Sequence, residues 1–450
     1  MGASLRGRLM KNLRITSRRA GALALTAGLV TLGAACGSGG GSSTGSSPDS
    51  ITVAVAYPSP PAALLDQFTK QTGIKVNWVN IGWDDLQTKI AAAAAASTYF
   101  ADATDVDWSK VGEYQKTGWF YPLNKWFSPA SLKPDMPQLD TFISNGDLMG
   151  VPFDSSFITT TVNTKDFGKA GIKTIPATLS GFTSALKKVG TANHMASPLD
   201  IQLATAEGLS TCWYQMTAAF GGQVLTSSDS PNFTSPSSPG YQAMSWMVNA
   251  YKNGLVPKGN INTTDYDGFT TEMAKNRVAA VLCDYSGSVG SIYNVASSSS
   301  VVNQTEYVST PGANGVGLAV ANPDGIGIPK SAHNVAGAVK FIKWFTSTGN
   351  QATWAGLKGP KDVVSTFPLP DRLSSFNLLI KAGNIGEASQ LAAILKAHAQ
   401  APFPNGAPPW YVQFSAAVQT NIHEAAAGQE SVAQAVKSIA STVSQLKASG

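Results

Sequence analysis

The chain has 450 residues, of which only 13% are charged, and a formal net charge of +5. That positive balance sits in the first 35 residues, which hold six basic and no acidic side chains, so the remainder carries −1 and offers no basic patch for nucleic acid. Four histidines stand singly, with no His-Glu-x-x-His spacing and no Cys/His cluster, so neither a metal nor a cofactor is expected.

Arg6, Arg8, Lys11, Arg14, Arg18 and Arg19 precede an apolar stretch from Ala20 to Ala35, the pattern of a secretory signal over residues 1–35. The stretch is shorter than the roughly 20 apolar residues of a spanning helix. Met10 offers a second start with the whole signal after it. Ser17-Arg18-Arg19 hints at twin-arginine export, without the Phe-Leu that should follow. Leu32-Gly33-Ala34-Ala35-Cys36 resembles a bacterial lipobox, with Gly33 in the usual place of Leu. The resemblance implies that Cys36 is lipidated and holds the protein on the outer face of the cell membrane. The alternative is ordinary cleavage after Ala35, leaving a free thiol. Residues 36–50 argue against it, because they form a Gly/Ser-rich tether, a flexible coil with a reach on the order of 20 Å.

Without the signal 415 residues remain, too many for one compact core, so two lobes are expected. Ile51–Tyr57 reads as a buried strand ending at Pro58. Ser59 and Pro60 then suit the N-cap and first turn of a helix. Leu64, Leu65 and Phe68 form its apolar stripe, which stops before Gly73. Ile74, Val76 and Trp78 alternate with Lys75 and Asn77, a strand pattern. Strand, helix and strand in so short a span predict a βαβ unit and an α/β fold. Leu86, Ile90 and Ala91–Ala96 predict a further helix, and Asp102–Asp107 leads out of another strand. Thr178 suits the cap of a helix bearing Leu179, Phe182, Leu186 and Val189. Ser431 and Gln434 form a capping box for a last amphipathic helix through Val432, Val436, Ile439, Val443 and Leu446. Cys212 and Cys283 remain once Cys36 is set aside. A disulfide between them is permitted outside the cytoplasm, and spacing alone leaves it open against two buried thiols.

Several segments fall in a telling order: Phe68-Thr-Lys-Gln-Thr-Gly-Ile-Lys-Val76, then Ala101-Asp-Ala-Thr-Asp-Val-Asp-Trp108 and Gly118-Trp-Phe-Tyr-Pro-Leu123. Gly150-Val-Pro-Phe-Asp154, Val162-Asn-Thr-Lys165 and Ile175-Pro-Ala-Thr178 follow. Val278-Ala-Ala-Val-Leu-Cys-Asp-Tyr-Ser-Gly287, Pro409-Trp-Tyr411 and Ala425-Ala-Ala-Gly428 complete the series. In order and spacing the chain resembles the extracellular solute-binding proteins of ATP-driven (ABC) importers, specifically the maltose-binding-protein-like sugar binders. The resemblance implies a two-lobed α/β periplasmic-binding-protein fold with a hinge. The lobes are expected at about 51–157 with 310–367, and at 158–309 with 368–450. The ligand is expected in the cleft between them, at strand ends, with closure about the hinge. The expected partners are a mono- or oligosaccharide and the membrane subunits of an ABC permease, met by a monomer.

A sugar presents hydroxyls at its rim and apolar C–H faces, so acids paired with aromatic platforms are the side chains to seek. The resemblance places Asp105, Asp107 and Trp108 at one strand end, Asp154 at the first crossover, and Asp284 with Tyr285 at a second strand end. Trp410 and Tyr411 open a late helix, Tyr57 ends the first strand, and Trp83 and Trp213 complete the candidates. For each aromatic the competing role is core packing. Asp84 and Asp85 suit a helix N-terminus through its dipole. Enzyme readings lack their parts. Ser286-Gly-Ser-Val-Gly290 has Ser where a nucleophile elbow needs Gly, and Ser184-Ala-Leu-Lys187 has no Lys-Thr-Gly companion. The expectation is a carbohydrate receptor, not an enzyme. The alternatives are a polyamine receptor of the same fold, through cation–π contact, and a secreted polysaccharide-active enzyme using an acidic pair.

Overall fold

The structure, a computed structural model, describes residues 49–356, 369–383 and 387–449. The expected signal, Cys36, nearly all of the tether, the lobe boundary at 367/368 and the side chain of Asp84 lie outside the described residues.

The opening βαβ unit forms as its pattern predicts. β1 (Ser50–Val55) and β2 (Lys75–Asn80) pair in parallel, Val53 opposite Trp78. Helix Ala62–Thr72 joins them and buries Leu64 and Phe68. Gly73 closes that helix at φ 75°, a left-handed conformation that a residue without Cβ adopts freely. The helix start differs from expectation: Pro61 precedes Ala62 as the N-cap, and the Ser59 hydroxyl donates to the Pro60 carbonyl instead of capping. Pro60 stands before Pro61, and a residue before proline is pushed out of the helical region. β3 (Ala103–Asp107) then pairs with the other side of β1.

After a small hairpin of β4 (Ile143–Ser144) and β5 (Asp147–Leu148), β6 (Val151–Pro152) lies at the far edge of the first sheet. The second sheet begins with β7 (Phe157–Asn163), fully buried, and continues with β8 (Leu199–Asp200), β9 (Ala280–Tyr285), β10 (Thr305–Val308) and β11 (Ala319–Ala321). β12 (Asp324–Gly327) returns to the first sheet, and β13 (Ala399–Gln400) joins the second. The first sheet runs β2-β1-β3-β12-β6 and the second β13-β11-β7-β9-β8, with β10 also on β7. The chain therefore passes between sheets at 153–156, again at Asn322-Pro323, and a third time between β12 and β13. The second passage comes later than the expected step at 309/310, because Val320 is still paired with Ile158 of the second sheet.

Aromatic packing fixes the first lobe's core. Phe68 meets Phe341 edge-on at 5.4 Å and Trp344 tilted at 5.3 Å, both on helix Val335–Phe345, and Phe153 and Trp354 close around Tyr57. The expected caps are present: the Thr178 hydroxyl accepts from Gly181 N at 3.2 Å, and Ser431 and Gln434 bond each other's amides. The sulfurs that spacing left open are joined. Cys212 lies in helix Glu207–Ala219 and Cys283 in β9, both fully buried, with Cα atoms 5.3 Å apart. The bridge spans 71 residues, and cross-linking a long loop restricts the unfolded chain. Reduction, or Cys283→Ser, is expected to lower the unfolding free energy by about 2–5 kcal/mol, measured by urea titration with and without reductant. An unchanged midpoint would remove the bridge from the stability of the fold.

Candidate functional site

The acids and aromatics meet where strands of both sheets end. β3 leaves its sheet through a short 3-10 turn, Trp108–Lys110, capped by Asp107. The Asp107 carboxylate accepts from Ser109 N and from the Ser109 hydroxyl, both at 2.8 Å, which holds Trp108 at the strand's exit. Trp108 is packed by Phe403 and, edge-on at 5.2 Å, by Tyr411. On the other sheet β9 ends at Tyr285, whose hydroxyl donates to Asp265 Oδ2 at 2.7 Å. Glu207 opens helix Glu207–Ala219, and its carboxylate accepts from the hydroxyls of Tyr411 and Ser415 and from Gln419.

Between these ends lies a cavity of about 270 Å³, near the lower end of the roughly 300–1,000 Å³ typical of small-molecule sites. Tyr57, Trp83, Asp107, Trp108 and Ser109 line it from segments attached to the first sheet. Glu207, Thr211, Asp265 and Tyr285 line it from the second. Ser156, Asn322 and Asp324 belong to the first two passages or their edge.

A second layer of carboxyls stands behind the wall. The Tyr57 hydroxyl lies 2.8 Å from Asp154 Oδ2 and 2.7 Å from Asp324 Oδ2, and Asp324 N donates to Asp154 Oδ1 at 2.5 Å. A tyrosyl hydroxyl has one proton to give, so both contacts are satisfied together when one carboxyl is itself protonated. Burial supports this by pushing Asp154 up to about 7 and raising Asp324 well above the carboxylate range, the latter also through the charges of Asp105 and Asp154. Asp105 is fully buried; the Gln87 amide approaches it without completing a hydrogen bond, and neither oxygen has a partner. Burial first, then Asp107 and Asp154, raises it well above its ordinary value. On the second sheet burial pushes Asp284 up to about 6 and Asp200 up to about 8, although hydrogen bonds to each pull the other way.

Five of the sequence candidates line the cavity: Tyr57, Trp83, Asp107, Trp108 and Tyr285. The others are placed elsewhere. Asp105 and Asp154 form the inner layer just described. Asp284 turns inward, accepting from Tyr285 N, Tyr293 and Ser288. Trp213 is core, its indole N–H donating to Gly240 O at 2.9 Å and its ring packed on Phe233. Tyr411 is buried and serves the site through Glu207 and Trp108, while Trp410 packs edge-on against Phe414 outside the lining. The lining residues Ser109, Ser156, Glu207, Thr211, Asp265, Asn322 and Asp324 are not among the sequence candidates. Asp265 follows the capping Thr264 at a helix start, and Asn322-Pro323-Asp324 follows the buried run of β11, the same polar exit that drew attention to Asp107.

Residues 55–352 match the protein-family model described as bacterial extracellular solute-binding protein. A comparison with curated protein sequences gives no match. Among solved structures, the sugar-binding protein MalE from the phytopathogen Xanthomonas citri is similar with a TM-score of 0.74 at 17% identity, over 89% of this chain and 98% of that one. The cyclic alpha-maltosyl-1,6-maltose binding protein from Arthrobacter globiformis gives 0.72 at 19%, over 90% and 100%. An ABC transporter solute binding protein from Thermotoga lettingae, bound with alpha-D-tagatose, gives 0.70 at 21%, over 88% and 99%. At such identities these likenesses show the fold alone, and it is the expected two-lobed α/β periplasmic-binding-protein fold.

The raised carboxyls give stability a definite dependence on pH. The protonated form of Asp200 is favoured in the fold, so its contribution is complete below about pH 4, its unfolded value, and is lost as pH rises through about 8. Asp284 and Asp154 act in the same direction through about 6 and about 7. The melting temperature is therefore expected to fall between pH 5 and pH 9, and Asp200→Asn to flatten that slope. A slope unchanged by Asp200→Asn in calorimetric scans would mean that Asp200 is not held protonated.

Proposed function

We propose that this chain, which belongs to the bacterial extracellular solute-binding protein family, binds a carbohydrate in the cavity between its two sheets and delivers it to the membrane subunits of an ABC importer. The observation that carries the reading is the cavity wall itself. Tyr57, Trp83, Trp108 and Tyr285 offer aromatic surface to the C–H faces of a sugar ring, and Asp107, Glu207, Asp265 and Asp324 offer acceptors to its hydroxyls. The proteins from Xanthomonas citri, Arthrobacter globiformis and Thermotoga lettingae, similar in fold, are a sugar-binding protein, a binder of a cyclic maltosyl-maltose and a receptor bound with tagatose.

The segments at 153–156 and Asn322-Pro323 are the hinge in this reading. One lobe then takes the first sheet with residues 50–152 and 324–355, the latter because Trp354 packs on Tyr57, Trp78 and Phe345, and the other the second sheet with 157–321 and the C-terminal helices. Closure about that hinge commits the solute and creates the surface the permease recognises. Cys36 carries the lipid that keeps the protein at the outer face of the membrane, the Gly/Ser segment gives it reach, and the receptor acts as a monomer without turning its ligand over.

Thermal-shift screening of mono-, di- and oligosaccharides tests the reading. A specific sugar at 100-fold above its Kd stabilises by about 2.7 kcal/mol, and no shift with any sugar would defeat it. Given that sugar, Trp108→Ala is expected to weaken binding at least tenfold in calorimetric titration with the circular dichroism spectrum retained. Trp410→Ala, outside the lining, is the control and leaves affinity unchanged. Equal affinity in the Trp108 variant would take its indole out of the site.

A further inference from the structure

The cavity is acidic on both sides. Asp107 and Asp324 face Glu207 and Asp265 across it, and among the described residues no Lys, Arg or His lines it. None of the four takes part in the ion pairs found among the described residues, which join Lys110 to Glu113, Lys133 to Asp140, Arg277 to Glu272 and Arg372 to Asp135. Their hydrogen-bond partners are neutral: Ser109 on Asp107, Tyr57 on Asp324, Tyr285 on Asp265, and Tyr411, Ser415 and Gln419 on Glu207. Neutral donors occupy lone pairs without cancelling charge, and like charges in a poorly solvated space repel. The Ser109 hydrogen bonds, and from outside the wall the Lys110 charge, ease Asp107 against its burial.

A further acid stands behind the wall on the side of the first sheet. Asp105 lies two residues before Asp107 on the same face of β3, fully buried, with both carboxylate oxygens lacking any partner. Among the described residues it takes part in no ion pair, and no three His, Cys, Asp or Glu stand close enough together to hold a metal ion.

We propose that the cleft selects a solute carrying a protonated amine, with an amino sugar as the form that satisfies the whole wall. This rests on the reading of the cavity as the ligand site. An ammonium group donates up to three charge-assisted hydrogen bonds to carboxylates. It also sits favourably against the aromatic faces of Trp108 and Tyr57. A neutral sugar entering the same space leaves the acids to ionise unpaired or to hold their protons. Burial already raises the carboxyls of Asp107, Glu207 and Asp324, a preference that an incoming cation reverses.

Calorimetric titration of the purified protein with matched probes tests this. The pairs are glucosamine against glucose, galactosamine against galactose, and fully deacetylated chitobiose against di-N-acetylchitobiose, with putrescine and spermidine alongside. The amine member of at least one pair is expected to bind at least tenfold more tightly than its neutral partner, with the gap narrowing at high salt. Asp265→Asn and Glu207→Gln, which keep shape and remove charge, are expected to close the gap by weakening the amine member alone. A neutral member that binds as tightly as its amine partner in every pair overturns the proposal and leaves the carbohydrate reading standing. Binding of putrescine or spermidine with no sugar bound does the reverse, keeping the ammonium and removing the carbohydrate. Binding by none of the amine probes overturns the proposal.

Discussion

Carboxylates that share a small, poorly hydrated space cannot all be charged at once, and the rest of this site is arranged around that constraint. Four acids line the cavity, and Asp105 and Asp154 stand behind them. The fold tolerates the arrangement through hydroxyl donors. Tyr57, Tyr285, Tyr411, Tyr293, Ser288 and Ser415 each donate to a carboxylate in or behind the wall. Such donors ease the burial of an acid while leaving its charge free to answer something that arrives from outside.

The architecture explains why so many acids converge. Asp107 caps the turn after β3, Glu207 and Asp265 open helices, and Asp324 begins β12 beside the second passage between sheets. At helix starts unpaired backbone N–H groups and the dipole favour negative side chains, so a cleft built from strand exits and helix entrances gathers acids. The same geometry makes it a place where open α/β sheets bind ligands. The aromatic cluster of Phe153, Trp354 and Phe345 below Tyr57 then holds that hydroxyl against Asp154 and Asp324.

Local signals carried the sequence reading well. Alternation and a glycine stop identified the first βαβ unit, Ser431 and Gln434 announced the last helix, and the acid-aromatic exits of β3 and β9 led to Asp107, Trp108 and Tyr285. What a residue type signals is harder to read when burial decides its role. Trp213 looked like a platform, yet nearly all of its helix is buried, so the indole serves packing. Asp284 looked like a contact, yet alternation along β9 turns it to the face away from Tyr285 and into a pocket of hydroxyl donors. Glu207 and Asp324 were invisible because their partners lie far away in sequence: Tyr411 and Ser415 for one, Tyr57 for the other.

The Cys212–Cys283 bond lies behind the half of the cavity built on the second sheet. It ties the helix that begins at Glu207 to the strand that ends at Tyr285. Those two surfaces are thereby held as one jaw, unable to part around a bulky guest. On the proposed reading of the cavity, any extra girth would have to be found by the opposite jaw, and the size of solute admitted would follow from how far the connecting segments let the two halves stand apart.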